Sequence, residues 1–375
     1  MIITKVGWTK YRVAFTRPFE TAHGLLLFRE GLLVKMVAPG FEGWGEIAPL
    51  PDFGEGGTVM DALALLQKIV PALAGLEVEQ LLAGTLDALI EQASQELSAL
   101  SPDLKITGQV QSTLRFGLEL AAYDILARAC NLPLAEYWGV TLAPLEVNAT
   151  IGTPDLAETV GATRHLVEAG YKCIKLKVGI TANETAEIAR VAAVRQVLDS
   201  FSQPLRLRLD ANEAWTVPQA IRLLKQMVCC NLELVEQPVA GVNIAGLAQV
   251  RHATGLTIAA DESVVSVEAA REIIAAQAAQ VLVIKPSLVG GVQAARAIIK
   301  LVEAAGLRGL VTTALDTGVG IAGAFQLALT LRRPPLACGL ATAQLLTDTL
   351  VTNLPQIQNG WMLPLSAPGL GIEVV

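Results

Sequence analysis

The stretch CIKLKVG, residues 173–179, places two lysines inside a short run that otherwise has the character of a buried β-strand. Side chains alternate between the two faces of a strand, so Lys175 and Lys177 point one way while Ile174 and Leu176 point the other. An edge strand with one face in water would explain a single such pair, because lysine is rarely buried without a partner. The surrounding sequence decides between that interpretation and a functional one.

From residue 145 onward, short runs of this kind alternate with helical segments rich in Ala, Leu, Glu and Arg. The strand-like runs are LEVNATI (145–151), CIKLKV (173–178), LRLRLD (205–210), LELVE (232–236), LTIAAD (256–261), VLVIK (281–285), RGLVTT (308–313) and PLACGL (335–340). Strictly alternating strands and helices predict a parallel sheet. Eight units over about 200 residues favour a closed TIM-type α/β barrel over an open doubly wound sheet.

Residues 1 to about 140 have a different pattern, in which three strand-like runs precede several helical segments. This pattern predicts an N-terminal α+β domain, followed by the barrel at residues 141–344. The last segment, about 345–375, is expected to pack back on the first domain. A chain of 375 residues is long enough for two domains with substantial cores.

Composition excludes several classes of function. The net charge of -7, without any run of Lys or Arg, argues against a nucleic-acid partner. Five cysteines without zinc-ligand spacing indicate a reduced chain and a cytoplasmic location. The longest apolar tract, residues 309–331, contains Asp316, and the amino terminus lacks the apolar core of a signal peptide, so we expect neither a membrane span nor export.

Ionisable residues end five successive strand-like runs, at Lys177, Asp210, Glu236, Asp261 and Lys285. The carboxyl ends of barrel strands form the active-site face, and strands two and six of an eight-membered ring lie opposite each other. Helix N-capping would explain any one acid, but it does not explain three in succession. Three converging carboxylates would repel one another unless a cation neutralised them. Oxygen ligands without His or Cys predict Mg²⁺, with Mn²⁺ as an alternative.

In the third strand-like run, a basic residue lies on the same face of the strand as the acid that ends it. Alternation in RLRLD places Arg208 one layer below Asp210. Carboxylates that bind metals are themselves usually held by hydrogen bonds. We therefore expect Arg208 to support the ligand set.

The motifs as a set resemble the enolase superfamily, and within it the muconate-lactonizing subgroup. They are KLK (175–177), DANEAW (210–215), VEQP (235–238), ADES (260–263) and IKPS (284–287). GWGEIAPLP (43–51) resembles the amino-terminal capping domain of that family, and RPFETAHGLLLFREGLLV (17–34) resembles the mobile loop that this domain folds over the barrel mouth. The resemblance implies a modified (β/α)7β-like barrel with an N-terminal α+β capping domain.

The resemblance also implies roles for individual residues. Lys177 and Lys285 would be the acid/base lysines, and Asp210, Glu236 and Asp261 the Mg²⁺ ligands. Supporting or substrate-binding roles would fall to Lys175, Asn212, Glu262 and Ser287, and to His23 and Arg29 in the loop. The partner would be a small-molecule carboxylate, and the sequence does not indicate the oligomeric state.

Three later segments most resemble the o-succinylbenzoate synthase family: KPSLVGG (285–291), GLATAQLLTD (339–348) and LPLSAPGLGIEV (363–374). This resemblance implies a lyase that dehydrates its substrate in menaquinone or phylloquinone biosynthesis. Dipeptide epimerases of the subgroup typically carry Asp-x-Asp at the end of strand eight, where residues 340–343 read Leu-Ala-Thr-Ala. Dipeptide epimerization, N-acylamino acid racemization and muconate cycloisomerization remain alternatives because they share the metal and the lysines. A non-enzymatic scaffold is disfavoured, since buried acids are costly to retain without a function.

The run GVGIAG (318–323) matches a dinucleotide-binding motif, but it follows the seventh strand-like run instead of the first. The loops after strands seven and eight of such barrels commonly bind an anion. Gly318 and Gly320 are therefore expected to let the backbone approach a substrate carboxylate, with plain helix packing as the alternative.

Overall fold

The computed structural model describes residues 1–21, 24–51, 56–101, 103–181, 183–332 and 334–375. The strands are β1 (Lys5–Thr21), β2 (Gly24–Ala38), β3 (Phe41–Ile47), β4 (Leu145–Glu146), β5 (Ala149–Ile151), β6 (Cys173–Lys177), β7 (Arg206–Asp210), β8 (Leu232–Glu236), β9 (Ile258–Ala260), β10 (Val281–Ile284), β11 (Arg308–Val311), β12 (Ile357–Gln358) and β13 (Trp361–Met362). The α-helices are α1 (Val59–Leu73), α2 (Val78–Gln80), α3 (Leu86–Leu100), α4 (Gly108–Ala129), α5 (Leu134–Tyr137), α6 (Leu156–Glu168), α7 (Glu184–Asp199), α8 (Val217–Met227), α9 (Ile244–Thr254), α10 (Val267–Ala275), α11 (Val292–Ala304) and α12 (Gly318–Ala328).

The first three strands form an antiparallel sheet in the order β1-β2-β3. Helix α4 lies directly on this sheet, and a Cβ atom on Gly45 would come within 1.8 Å of the Gly117 carbonyl oxygen. Backbone therefore touches backbone at this point, and most residues along α4 are buried. The expected α+β arrangement at the amino terminus is confirmed.

The segment expected to be a mobile loop, residues 17–34, is largely β-structure. The β1–β2 ladder continues through it, pairing Phe19 with Leu26 and Thr21 with Gly24. The β-prone residues on both sides of positions 22 and 23 favour this pairing over an open loop. His23 lies outside the described residues.

The barrel is a parallel sheet of seven strands, β5 to β11, whose order in space follows the chain. The eighth predicted strand is reduced to isolated bridges, in which Cys338 pairs with Val147 and Gly339 pairs with Thr312. Two prolines, at 334 and 335, precede these residues and have no N–H to donate to a ladder. The bridges nevertheless join the first and last strands, so the sheet curls into the expected barrel.

The segment after the barrel contacts the first domain. The N–H of Leu370 donates to Asp124 of α4 at 2.8 Å, and Phe15 of β1 forms a bridge with Leu346. One buried apolar cluster contains side chains from α4, from α12 and from this last segment. These contacts support the proposed packing of the carboxyl terminus, while the domain boundaries stay predictions.

Within the described ranges, every helix is too short or too polar to span a lipid bilayer.

Candidate active site

The register of the barrel strands brings the predicted site residues to one end. Lys177 of β6 pairs with Asp210 of β7, and Asp210 pairs with Glu236 of β8. Asp261 and Lys285 directly follow β9 and β10, which continue the same parallel sheet. Since parallel strands end at the same edge, all five residues lie at the mouth of the barrel.

Two lysines of β6 form ion pairs with the carboxylates of Asp210 and Glu236. The Nζ atom of Lys175 lies 2.9 Å from Asp210 Oδ2 and 2.9 Å from Glu236 Oε1. The Nζ atom of Lys177 lies 2.6 Å from the same Asp210 oxygen. Burial disfavours the charged form of Lys175, but Asp210 and Glu236 outweigh burial and raise its pKa. The same two lysines outweigh the effect of burial on Asp210 and lower the pKa of that carboxyl.

Lys285 lies across the mouth from Lys177, because three strands separate β6 from β10 in the ring. Its Nζ atom is 2.7 Å from Asp261 Oδ2. Burial disfavours the ammonium form of Lys285, but Asp261 and Glu262 outweigh it and raise the pKa. The mouth thus has a lysine on each of two opposite walls.

The buried carboxylates repel one another despite these lysines. Burial and the charge of Asp210 raise the pKa of Glu236 to about 7. Burial also raises the pKa of Asp261, with Lys285 opposing that effect. A further cation between the carboxylates would relieve this repulsion.

The carboxylate set suits a hard divalent cation. One ammonium group, that of Lys175, reaches both Asp210 and Glu236, so oxygens of these residues converge on a single cation position. Among the described residues, no three His, Cys, Asp or Glu side chains are placed to hold a metal ion together, and lysines contact Asp210 and Asp261. Their side chains would have to move from these positions for Asp210, Glu236 and Asp261 to bind one ion.

Asn212 links three of the predicted residues. Its side-chain oxygen accepts a hydrogen bond from Lys177, and its amide nitrogen donates to Glu262 Oε1 at 2.8 Å. Its backbone N–H donates to Asp210 Oδ1 at 3.1 Å. The φ of Asn212 is +39°, a left-handed conformation that such surroundings can maintain. The second oxygen of Glu262 is buried and has no hydrogen-bond partner among the described residues.

Arg208 does not have the predicted partner. It is buried and donates to Glu233 Oε2 at 2.5 Å and to the Ala337 carbonyl at 2.7 Å. Its guanidinium therefore bonds to Glu233 and Ala337 and not to Asp210, Glu236 or Asp261. Ser287 is also buried, and its hydroxyl has no partner among the described residues.

The amino end of α12 binds a carboxylate from the first domain. Glu46 accepts the backbone N–H groups of Thr317 and Gly320, each at 2.8 Å. The hydroxyls of Thr317 and Tyr11 donate to the same carboxylate. The N–H of Gly318 donates to the Thr349 carbonyl at 2.8 Å.

The expected role of Gly318 and Gly320 is therefore corrected. Their N–H groups bond within the protein, so they are not available to a substrate carboxylate. A Cβ atom on Gly320 would lie 2.5 Å from Asp316 Cβ, and one on Gly318 would lie 2.3 Å from a methyl group of Val351. Close packing explains both glycines.

Arg29, expected to have a supporting or substrate-binding role, is bound within the protein. It is 2 % exposed, and it donates to the Leu315 carbonyl at 3.0 Å and the Pro49 carbonyl at 2.7 Å. It also lies 3.8 Å from Asp316 Oδ1. Burial and the nearby Glu46 raise the pKa of Asp316 to about 7, with Arg29 opposing them. Arg29 thus joins the first domain to the loop after β11.

Comparison with known proteins agrees with this geometry. Residues 157–375 match the family model described as enolase C-terminal domain-like. The L-Ala-D/L-Glu epimerase of Bacillus subtilis is 31% identical over 377 residues, which cover 99% of this chain and 97% of that protein. The chain belongs to the enolase superfamily.

Other members of the enolase superfamily are similar over different extents. The o-succinylbenzoate synthase of Thermobifida fusca is 40% identical over 201 residues, covering 53% of this chain and 60% of that protein. The structure of the Bacillus subtilis L-Ala-D/L-Glu epimerase in a substrate-liganded complex has a TM-score of 0.86 at 28% identity, covering 99% of both chains. The dipeptide epimerase of Enterococcus faecalis, complexed with Mg and L-Leu-L-Tyr, has a TM-score of 0.85 at 25% identity, also covering 99% of both chains.

Gln237 is a site residue of this enolase-superfamily chain that the sequence reasoning missed. Its side-chain oxygen accepts the N–H of Asp261 at 2.8 Å, and its amide donates to the Val239 carbonyl at 2.8 Å. It is fully buried with a φ of +34°. Gln237 therefore ties the end of β8 to the end of β9, and its position directly after Glu236 in VEQP was the available signal.

Proposed function

We propose that this chain is a Mg²⁺-dependent enzyme that removes a proton from the carbon next to a substrate carboxylate. Asp210, Glu236 and Asp261 would hold the ion, with Mn²⁺ as an alternative, and Lys177 and Lys285 would lie on opposite sides of the substrate. The approach of Asp210 and Glu236 oxygens to one ammonium group, with Asp261 at the end of the next strand, supports this proposal. So does the Mg in the similar dipeptide epimerase structure.

Each group would have a separate task. A divalent cation, when bound, supplies positive charge that stabilises the negative charge developing on the substrate carboxylate. Lys177 takes the proton at Nζ, which Asn212 orients through its side-chain oxygen. Lys285 supplies positive charge from the opposite wall. Lys175, which lies beside Asp210 and Glu236, favours their ionised forms by its positive charge.

The reaction we propose is the syn dehydration of 2-succinyl-6-hydroxy-2,4-cyclohexadiene-1-carboxylate to o-succinylbenzoate. Lys177 removes the proton from the carbon that bears the carboxylate, and the released electron pair forms a ring double bond as the C–O bond to the hydroxyl breaks. The ammonium of Lys177 then returns its proton to the departing hydroxyl, which leaves as water. The ring becomes aromatic, so the elimination is strongly favoured.

One observation carries this choice of substrate, namely the uncharged end of strand eight. Residues 340–343 offer no acid, and Thr342 lies with its hydroxyl 2.9 Å from that of Thr313. A substrate ammonium group would be costly to bury there without a carboxylate partner, whereas the cyclohexadiene substrate has no ammonium group. The 40% identity to an o-succinylbenzoate synthase over 201 residues supports the same choice.

Dipeptide epimerization is the second candidate. Similarity to dipeptide epimerases extends over nearly the whole chain, at 31% identity to the Bacillus subtilis enzyme and 28% to the Enterococcus faecalis enzyme. Over the full length this similarity favours epimerization more than dehydration. Both reactions would use the same lysines and the same metal, so only the substrate separates them.

A comparison of kcat/KM tests the proposal. Protein with Mg²⁺ is assayed with the cyclohexadiene carboxylate, an N-succinylamino acid and a set of dipeptides, with Lys177→Ala as the control for contaminating activity. We expect at least a tenfold preference for the cyclohexadiene, about 1.4 kcal/mol in transition-state binding. A preference for a dipeptide would transfer the assignment to the epimerase, and no Mg²⁺-dependent turnover of any of the three classes would contradict the proposed chemistry.

A further inference from the structure

Helix α7 contains a buried ion pair that none of the catalytic roles above uses. Arg190 Nη2 lies 2.7 Å from Glu187 Oε1, and both side chains are almost completely buried. A buried ion pair adds little net stability compared with well-packed apolar side chains. The groups that this ion pair contacts are therefore a better guide to its role than its contribution to the free energy of unfolding.

The pair bonds the backbone on both sides of the strand end that carries Lys177. Arg190 Nη2 donates to the Lys177 carbonyl at 2.5 Å, and Nη1 donates to the Thr153 carbonyl, just after β5, at 2.8 Å. Glu187 Oε1 accepts the N–H of Gly179 at 3.2 Å. One guanidinium thus joins the ends of two neighbouring strands, and its carboxylate partner holds the next turn.

The backbone at Gly179 is closely packed and has little freedom to move. Gly179 has a φ of +76°, and a Cβ atom there would lie 2.3 Å from Ala214 Cβ in the loop after β7. Between Lys177 and Gly179, the N–H of Val178 donates to the Asp210 carbonyl at 2.8 Å. The backbone from 177 to 179 is therefore held at three successive residues.

We propose that Arg190, oriented by Glu187, is a positioning residue for Lys177. The inference rests on the proposed function, in which Lys177 moves the proton. A displacement of about 1 Å of a reacting group can lower a rate by about 100-fold. Arginine suits this task because its planar fork reaches two carbonyls in fixed directions, whereas a lysine ammonium is a flexible point charge.

Arg195 provides a matched control on the same helix. It is also buried, pairs with Asp199 at 2.7 Å and donates to the Leu205 carbonyl at 3.2 Å. Leu205 precedes β7, so this bond lies at the amino end of the barrel strands, away from the mouth. Arg195→Lys therefore disturbs a similar bond without touching the strand end of Lys177.

The catalytic test compares Arg190→Lys with Arg195→Lys on whichever substrate the wild-type protein turns over, carrying hydrogen or deuterium at the carbon next to the carboxylate. We expect Arg190→Lys to lower kcat by about 10- to 100-fold, to leave KM within about twofold, and to raise the deuterium isotope effect on kcat. An isotope effect is a ratio, so it does not change when part of the sample is merely unfolded. Unchanged kcat in Arg190→Lys, or an equal loss in Arg195→Lys, would overturn the inference.

Hydrogen exchange gives a second readout that needs no substrate. The amides of Val178 and Gly179 should exchange faster in Arg190→Lys than in the wild type, and at wild-type rates in Arg195→Lys. If no substrate is turned over by the wild type, the proposed function fails while exchange still decides whether Arg190 holds this turn. Equal exchange in all three proteins would overturn the positioning role.

Discussion

Replacing Glu119 with Gln should change how the stability of the protein depends on pH. Glu119 of α4 lies across the interface from the first turn of α11, where its Oε2 accepts the N–H of Gln293 at 3.0 Å. Gly291 permits this approach, because a Cβ atom there would lie 2.6 Å from Oε2. Burial raises the pKa of Glu119 to about 7, although the bonds from Gln293 and the charge of Arg115 oppose it.

The sign follows from the raised pKa. The folded state holds the proton of Glu119 more tightly than the unfolded state, whose glutamate pKa is about 4.5, so stability falls as pH rises from about 4 to about 7. A rise of roughly 2.5 pKa units corresponds to about 3 kcal/mol. Glu119→Gln cannot ionise, so its stability relative to wild type should improve by up to about 3 kcal/mol across this interval.

Urea unfolding at pH values from about 4 to about 8 measures this difference, since the linear extrapolation yields the free energy of unfolding at each pH. Glu91→Gln, an exposed residue of α3, is the matched control and should track the wild type throughout. Parallel curves for Glu119→Gln and wild type would contradict this prediction, because they would show that the pKa of Glu119 is the same in the folded and unfolded states.

Three further predictions concern the candidate active site and the contact of Glu46 with the amino end of α12. Lys177→Ala should fold normally yet lose about 10²- to 10⁴-fold in kcat, measured by steady-state kinetics, because it lacks the proton-transfer group; near-normal turnover would contradict its role. Dialysis against EDTA should abolish activity and Mg²⁺ should restore it, whereas full activity in a metal-free sample would exclude the proposed ion. Glu46→Ala should lower the free energy of unfolding by about 2–5 kcal/mol, because the buried N–H groups of Thr317 and Gly320 lose their acceptor; a loss below about 1 kcal/mol in urea would show that they find another partner.

The strand ends of the mouth were predictable from local sequence. Alternation in CIKLK and RLRLD places Lys177 and Asp210 on faces that meet, because strand side chains repeat every two residues. The parallel register of β6, β7 and β8 then makes Lys177, Asp210 and Glu236 neighbours. A pattern of period two carries this information without any knowledge of distant contacts.

Partners that are distant in sequence were not predictable in the same way. Arg208 lies on the same face of its strand as Asp210, but its acceptor, Glu233, lies on another strand. Only the packed barrel decides whether Arg208 bonds to Glu233 or to a carboxylate at the mouth. The acceptor for Gly320 comes from Glu46, which belongs to a different domain. Arg190 lies in a helix that is also rich in polar residues, so its burial depends on tertiary packing that the sequence pattern does not reveal.

The bridges that close the barrel join residues far apart in the sequence, so they can form only late in the synthesis of the chain. Val147 cannot form its bridge until Cys338 has been synthesised. Glu46 cannot accept the N–H of Thr317 until that residue, 271 positions further along, has been synthesised. At about 5–20 residues per second on a ribosome, the second wait lasts roughly 14–54 s. Until then the first domain, whose sheet α4 already contacts, lacks helix α12 and the carboxyl-terminal segment that pack against it in the finished protein. The barrel therefore closes only after nearly the whole chain has emerged, and until then the nascent chain exposes apolar surface that the finished protein buries.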